Sequence, residues 1–162
     1  ASEVPVGTCS NKTVPTLVEA LAGVPLRRID SLSTHSVAVA RSGALLAWGN
    51  GDKNRLGHGS CDKEPVPRVM HALLNKPPVK DVACGLGHTL ALLVNGELYA
   101  WGNGGNGRLG LGDRFDRVSA TPVLSMFPNA TSTPSPVSSM AAGGTHGRNG
   151  THARAPRRAQ RR

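Results

Sequence analysis

The sequence lacks any long hydrophobic run. Its longest apolar stretches are residues 44–48 and 90–94, whereas a helix needs about 20 apolar residues to cross a bilayer. The chain also lacks the basic start and apolar segment of a secretory signal, because the acidic residue Glu3 closely follows Ala1. We therefore expect a nuclear or cytoplasmic protein that is not secreted and has no membrane contact.

Residue patterns typical of catalysis and metal binding are also absent. The three cysteines form no C-x-x-C pair. The recurring histidines His35, His88 and His146 have no second ligand three or four residues further on. No Ser/His/Asp or Cys/His spacing and no pair of acids suggests a catalytic set. The sequence therefore predicts no catalytic residues, no metal and no cofactor.

Glycine and proline are abundant instead. The chain has 20 glycines and 12 prolines among 162 residues. Because these are the two poorest helix formers, the composition argues against a helical bundle. It favours short strands joined by tight turns, as in all-β domains.

The chain repeats itself with a period of 53 residues. The sequence T-H-S-V-A-V at 34–39 aligns with G-H-T-L-A-L at 87–92, and A-W-G-N at 47–50 aligns with A-W-G-N at 100–103. R-L-G at 55–57 and at 108–110 has the same spacing. A third start, at residues 141–146, follows the second after 58 residues. A period of this length, kept at several separate motifs, is typical of a repeat architecture.

Within one repeat, the pattern predicts short antiparallel strands. Residues 82–94 are mostly apolar, and Asn95-Gly96 predicts a two-residue hairpin turn with positive φ at both positions. The returning strand ends at Trp101, before a glycine-rich turn at 102–107. That turn matches G-x-G-x-x-G, but no helix-forming segment follows, so we interpret it as a turn rather than a dinucleotide site. Pro65 and Pro67 predict an edge strand or an extended connector. Such a unit is typical of a propeller blade.

These motifs resemble the regulator-of-chromosome-condensation repeat family. The family pattern G-x-x-H-S/T, apolar strand, W-G-N and L-G-x-G occurs at 85–112, and a less typical copy occurs at 34–59. The resemblance implies an all-β fold, an incomplete β-propeller with blades of short antiparallel strands, since family members have seven blades. It predicts a partial propeller over 1–146, with hairpin cores near 34–49 and 82–102 and a third core broken at 146.

The resemblance also implies roles for residues within the repeat. In the family, the repeated histidine lies near one end of the propeller, which makes His35 and His88 candidate interface residues. The alternative is a structural histidine that hydrogen-bonds to neighbouring backbone. Structural positions of the repeat are Trp48, Gly49, Trp101, Gly102, Asn95 and Gly96.

The repeat pattern ends abruptly after His146. Residues 147–162 contain six arginines and no acid, and they supply +6 of the net charge of +9. Such a segment is predicted to be disordered. It is either a basic arm for phosphates or an import receptor, or sequence outside the true repeat without a selected role. The arginines concerned include Arg154, Arg157, Arg158, Arg161 and Arg162.

Three functions fit these patterns. The first is a protein-interaction module, in its sharpest form a guanine-nucleotide exchange factor that acts on a small GTPase by binding alone. The second is association with chromatin or nucleic acid through basic surface, and the third is the substrate-docking propeller of a larger ubiquitin ligase or scaffold. We also expect the chain to be part of a longer propeller or a truncated gene product, and to self-associate through uncovered blade faces.

Overall fold

Two four-stranded antiparallel sheets form the body of the protein. The computed structural model describes residues 13–124, 139–142 and 152–154. Each sheet follows chain order, so each is a meander. Blade 1 consists of β1 (Leu26–Leu32), β2 (His35–Ala40), β3 (Leu45–Gly49) and β4 (Glu64–Val69). Blade 2 consists of β5 (Val79–Cys84), β6 (His88–Leu93), β7 (Leu98–Gly102) and β8 (Arg117–Pro122).

The remaining regular elements are short. Single 3₁₀ turns lie at Glu19–Leu21, Asp52–Asn54, His71–Leu73 and Gly105–Gly107, and a separate antiparallel pair joins β9 (Ser139–Ala141) to β10 (His152–Arg154). Among the residues that the structure describes, no helix is long and apolar enough to cross a membrane. The prediction of an all-β fold with blades of short antiparallel strands is confirmed.

The proline-rich strand β4 lies at the edge of blade 1, as its sequence predicts. Pro65 and Pro67 cannot donate ladder hydrogen bonds, and an edge strand tolerates this loss because one of its sides has no neighbouring strand. The register between β3 and β4 shifts between Ala47 and Gly49, where the ladder accommodates an irregularity.

The central hairpin turn of each blade differs from the two-residue turn that the sequence predicts. Gly96 has φ +88°, but Asn95 does not have positive φ. The Leu93 amide donates to the Glu97 carbonyl at 2.9 Å, and the Gly96 amide donates back to Leu93 at 3.0 Å. The loop is therefore residues 94–96, with one left-handed position that glycine satisfies. Requiring positive φ at Asn95 was wrong.

The hydrophobic core lies between the two blades. Strand alternation places Val37, Val39, Leu45 and Ala47 of blade 1 on the face that meets blade 2. The blade 2 residues in this cluster are Val79, Val82, Cys84, Ala91, Leu93, Tyr99 and Trp101. A second buried cluster lies on the opposite face of blade 2. The blades are therefore stabilised face to face, and each sheet depends on its neighbour.

A close approach between the blades explains one glycine of the repeat. Gly57 has φ +71°, and a Cβ placed there would clash with Met70 Cε of blade 1 and lie 2.7 Å from Trp101 Nε1 of blade 2. At the equivalent Gly110 the nearest atom would be Val123 Cγ1, at 3.5 Å. Gly57 therefore gives the Trp101 indole of blade 2 room against blade 1.

The third hairpin is out of register with the first two. In blade 1 Asp30 pairs with Val37 and in blade 2 Ala83 pairs with Leu90, in each case seven residues later (37 − 30 and 90 − 83). In the third hairpin Ala141 pairs with His152, eleven residues later (152 − 141). Residues 152–154 form the strand β10, and the disorder predicted for 147–162 stays a prediction. The rest of that segment lies outside the described residues.

The two tryptophans provide a test of this packing, because they occupy equivalent positions but different environments. Trp101 is fully buried between the blades, whereas Trp48 follows the core residue Ala47 and lies half-buried on the opposite face. We predict that Trp101→Ala lowers the free energy of unfolding by about 3–5 kcal/mol. The matched variant Trp48→Ala should lose less than half of that in urea denaturation. Equal losses would contradict the assignment of the core.

Candidate functional site

A buried polar network joins the two blades at the Arg55 carbonyl. This oxygen accepts hydrogen bonds from Thr89 Oγ1 at 2.7 Å and from Trp101 Nε1 at 3.0 Å. His35 Nε2 lies 3.0 Å from the same Thr89 hydroxyl. The single hydroxyl proton of Thr89 goes to Arg55, so His35 Nε2 must be the donor in its own contact with Thr89. His35 is therefore held as the Nε2–H tautomer.

The Arg55 side chain extends this network to the loop surface. Its Nε donates to the Asp52 carbonyl at 2.7 Å, within the same loop. Its guanidinium also donates to Thr34 Oγ1 at 2.7 Å and, across the blade boundary, to the Leu86 carbonyl at 3.0 Å. One arginine thus ties the β3–β4 loop of blade 1 to the β5–β6 turn of blade 2.

Further contacts across the blades come from β1 and β5, the first strand of each blade. Arg28 Nε lies 3.1 Å from Asp81 Oδ1, and the Cys84 amide donates to Asp30 Oδ2 at 2.6 Å. Burial, together with the negative charge of Asp30, raises the pKa of Cys84 to about 12, so its thiol stays protonated. Cys84 is 3% exposed and belongs to the core between the blades.

The structure places both candidate interface histidines inside the protein. His35 is 2% exposed and His88 is 1% exposed. Burial first, and then the positive charge of Arg55, lowers the pKa of His35 from 6.5 to about 4. Burial and the charge of Arg108 lower the pKa of His88 to about 4 as well. Both rings are neutral at pH 7, and both are buried within the chain.

His88 differs from His35 in its hydrogen bonding. Within the described part of the chain, neither ring nitrogen of His88 has a hydrogen-bond partner. The ring lies directly against Gly85, where no side chain would fit. Thr89 supplies the hydroxyl for His35, but the corresponding residue of the third repeat, 58 positions further on, is Gly147. His88 is therefore a buried polar group without the contact that its repeat equivalent makes.

Two long loops, residues 50–63 and 103–116, lie at the same end of the two blades. The second loop is fixed by its own polar groups, because Asp116 Oδ1 accepts from the Gly104 amide at 2.9 Å and Asn103 Oδ1 accepts from the Gly105 amide at 2.8 Å. The Phe115 amide and the Arg117 side chain bind Asp113, and they lower the pKa of its carboxyl. The loops therefore present a shaped surface, which we call the loop end.

Phe115 is the most exposed of the large apolar side chains at the loop end. It is 74% exposed and is flanked by the exposed Arg114 and by Arg117. The sequence reasoning missed this residue. A signal was present, because the chain has only five aromatic residues and this one lies in a polar loop. Aromatic residues and arginine are both enriched at protein interfaces.

The arginines predicted to form a basic tail lie largely outside the described residues. Arg154 lies in β10, and the arginines at 157, 158, 161 and 162 lie outside the described residues. Across residues 13–124 and the two short described segments, no group of three or more His, Cys, Asp or Glu side chains is placed to hold a metal ion.

Stacked meander sheets with a glycine-rich repeat define this chain as part of a β-propeller. Its sequence matches the regulator of chromosome condensation (RCC1) repeat twice, over residues 42–92 and 95–147. A second form of the repeat matches residues 79–108. The chain belongs to the RCC1 repeat family, and its fold is an incomplete propeller of that type.

Several known proteins share this sequence pattern. The chain is 41% identical over 115 residues to the human E3 ubiquitin-protein ligase HERC2, an alignment of 68% of the chain and 2% of HERC2. It is 41% identical over 100 residues to the Xenopus laevis protein RCC2 homolog, covering 60% of the chain and 19% of that protein. It is 36% identical over 119 residues to the Arabidopsis thaliana ultraviolet-B receptor UVR8, covering 74% of the chain and 27% of the receptor.

A solved structure agrees with the fold. Prp20p from Saccharomyces cerevisiae superimposes with a TM-score of 0.63 at 26% identity, over 75% of this chain and 30% of Prp20p. That structure was described together with the binding properties of Prp20p to Gsp1p and histones. The chain thus spans less than a third of the length of each of these relatives.

Thr89 tests the polar network directly. Replacing it by valine keeps the shape but removes the proton acceptor of His35 and one donor to Arg55. We predict a loss of about 1–3 kcal/mol in the free energy of unfolding, because two buried polar groups lose a partner. Thr121→Val is the control, since Thr121 Oγ1 donates to the Ser119 carbonyl of its own strand and makes no hydrogen bond across the blades among the described residues. A loss no larger than that of the control would contradict the network.

The two buried histidines predict a dependence of stability on pH. Their pKa values are about 4 in the folded protein, against 6.5 for an ordinary histidine. Stability is therefore complete above pH 6.5 and falls as the pH drops, because only the unfolded chain takes up protons. At about pH 5 each histidine should cost roughly 2 kcal/mol. Urea denaturation at pH 7.5 and 5 measures the loss, and no change between them would contradict the burial of both rings.

Proposed function

We propose that this chain is a protein-docking module and that the loop end is its docking surface. The observation that carries the proposal is Phe115, a 74% exposed aromatic side chain on a loop fixed by its own hydrogen bonds. An aromatic anchor of this kind contributes to binding by entering a pocket on the partner. Arg114 and Arg117 beside it favour a partner with acidic groups around that pocket.

The loops at the loop end are already fixed in shape, which favours docking. Binding costs free energy whenever a loop must be ordered first. Here Arg55 ties the first loop to blade 2, and Asp116 and Asn103 hold the turn of the second. A surface that is already fixed in shape loses little free energy to ordering, so fewer contacts are needed for measurable affinity.

The sharpest form of this function is nucleotide exchange on a small GTPase. Family membership supports it, as does the description of Prp20p as a protein with binding properties to Gsp1p. Exchange by binding needs no covalent chemistry; the docking module stabilises the nucleotide-free GTPase and so accelerates release of the nucleotide. A nuclear or cytoplasmic location suits such a partner.

A second candidate is substrate docking within a larger ubiquitin ligase or scaffold. The 41% identity to the ligase HERC2 favours it. In that case the loop end would bind a substrate protein, and a GTPase would not bind. Chromatin or nucleic-acid association is a third candidate, favoured by the six arginines of residues 147–162. It predicts affinity that falls steeply with salt concentration.

Phe115 gives the test of the docking surface. We predict that Phe115→Ala weakens binding to a nucleotide-free nuclear small GTPase at least tenfold in calorimetric titration, because the anchor is lost. Val94→Ala is the matched control, since Val94 is an exposed apolar residue at the opposite end of the blades. Equal affinity of both variants would exclude the loop end as the docking surface. Absence of any GTPase binding by the unaltered chain would exclude the exchange form.

A further inference from the structure

The residues that pack blade 1 on blade 2 recur 53 positions apart in the two blades, so the outer faces resemble the inner ones. We call the side of blade 1 that meets blade 2 its leading face and the side of blade 2 that meets blade 1 its trailing face. The leading face of blade 1 comprises Val37, Val39, Leu45, Ala47, Leu56 and Met70. The residues 53 positions further on are Leu90, Leu92, Leu98, Ala100, Leu109 and Val123, and all six form the second buried cluster. Blade 2 therefore carries the same leading face.

The trailing face also recurs, on the outer side of blade 1. Val82 and Trp101 of blade 2 correspond to Ile29 and Trp48 of blade 1. Val82 is 1% exposed and Trp101 is fully buried, whereas Ile29 is 56% exposed and Trp48 is half-buried. Blade 1 therefore has an apolar trailing face that nothing in the described structure fully covers.

We propose that the leading face of blade 2 binds the trailing face of blade 1 from a second copy of this chain, head to tail. All six apolar positions of the leading face recur, and the trailing face keeps an apolar residue at most positions, with Ser31 in place of Cys84 and the smaller Ala40 in place of Leu93. The occupant is a second copy because the polar contacts at the blade boundary recur as well.

The first recurring polar contact involves His88. His35 donates to Thr89 within the chain, and the equivalents of these two residues are His88 and Ser36. The Ser36 hydroxyl donates to Ser31 Oγ at 3.0 Å and keeps a lone pair that can accept from His88. A second copy thus supplies the acceptor that His88 lacks among the described residues.

The second recurring contact is a charge pair. Arg28 and Asp81 attract each other across the blades, and they are themselves 53 residues apart. In the head-to-tail arrangement, Asp81 on the leading side of one copy therefore meets Arg28 on the trailing side of the next. Within the chain the arginine is on the leading side and the acid on the trailing side, but in both cases opposite charges meet. The third repeat offers neither partner, because Ser139 stands at the position of Asp81 and Gly147 at that of Thr89.

The leading face of blade 2 is buried within the chain, where β9 packs against β5 and β6. A second copy must displace the β9–β10 pair. Ala141 stands at the position of Ala83, which pairs with a residue seven positions further on, but Ala141 pairs eleven positions further on, so the β9–β10 hairpin is four residues out of register. A two-stranded pair is marginally stable by itself, whereas a whole blade brings a complete apolar face. The resulting contact is heterologous, so further copies can add to both ends.

The experiment is sedimentation velocity on the full chain over a hundredfold range of concentration, with variants that block one face each. Ile29→Glu places a charge on the trailing face, and Leu111→Asp places one on the leading face, where Leu111 packs against the second cluster. Val94→Glu adds a charge at a hairpin turn away from both faces, at a similar exposure of 52%. Circular dichroism checks the fold, and Ile29→Thr replaces Ile29→Glu if that variant does not fold.

We expect the unaltered chain and Val94→Glu to associate with rising concentration. Each face variant alone should remain monomeric, with association weakened at least tenfold. A mixture of the two face variants should form dimers, because each keeps the face that the other has lost. Monomers of the unaltered chain at every concentration would overturn the proposal. So would association that survives both face variants, or a mixture that stays monomeric.

Discussion

The structure depends on one backbone oxygen that binds two side chains of the neighbouring blade. The Arg55 carbonyl accepts from the Thr89 hydroxyl at 2.7 Å and from the Trp101 indole at 3.0 Å. Because this oxygen lies within the long loop that joins β3 to β4, these bonds fix the loop and the blade boundary together. The apolar core supplies most of the favourable free energy, since burial is non-directional. The hydrogen bonds to the carbonyl are directional, so they determine how the two sheets are positioned relative to each other.

The relative position of the two sheets determines the shape of the surfaces that partners could contact. A blade boundary fixed by Arg55 gives the loops at one end a defined shape, and Phe115 projects from that end. The residues of the same boundary recur on the outer faces of the two blades, and on this recurrence the proposed head-to-tail contact rests. The docking proposed for the loop end and the association proposed for the blade faces are therefore separate properties. They use different surfaces, and both follow from the same repeat of the RCC1 family.

The sequence predicts the blades well and the differences between equivalent residues poorly. The period of 53 residues locates the strands around both Trp-Gly-Asn motifs, because the repeat records the strand pattern directly. It cannot distinguish Trp48 from Trp101, since burial depends on whether a neighbouring blade is present. For the same reason His35 and His88 read alike in sequence but differ in hydrogen bonding. The turn at Asn95-Gly96 was placed correctly, but its φ pattern follows from loop length, which no single dipeptide determines.

The central claim, that Thr89 and Trp101 act together on the Arg55 carbonyl, can be tested most directly by a double-mutant cycle. Thr89→Val and Trp101→Phe each remove one donor, and the double variant removes both. We expect the two free energies of unfolding to be coupled, with the double variant departing from additivity by at least about 0.5 kcal/mol. Additive losses would show that the two donors act independently and would contradict the account.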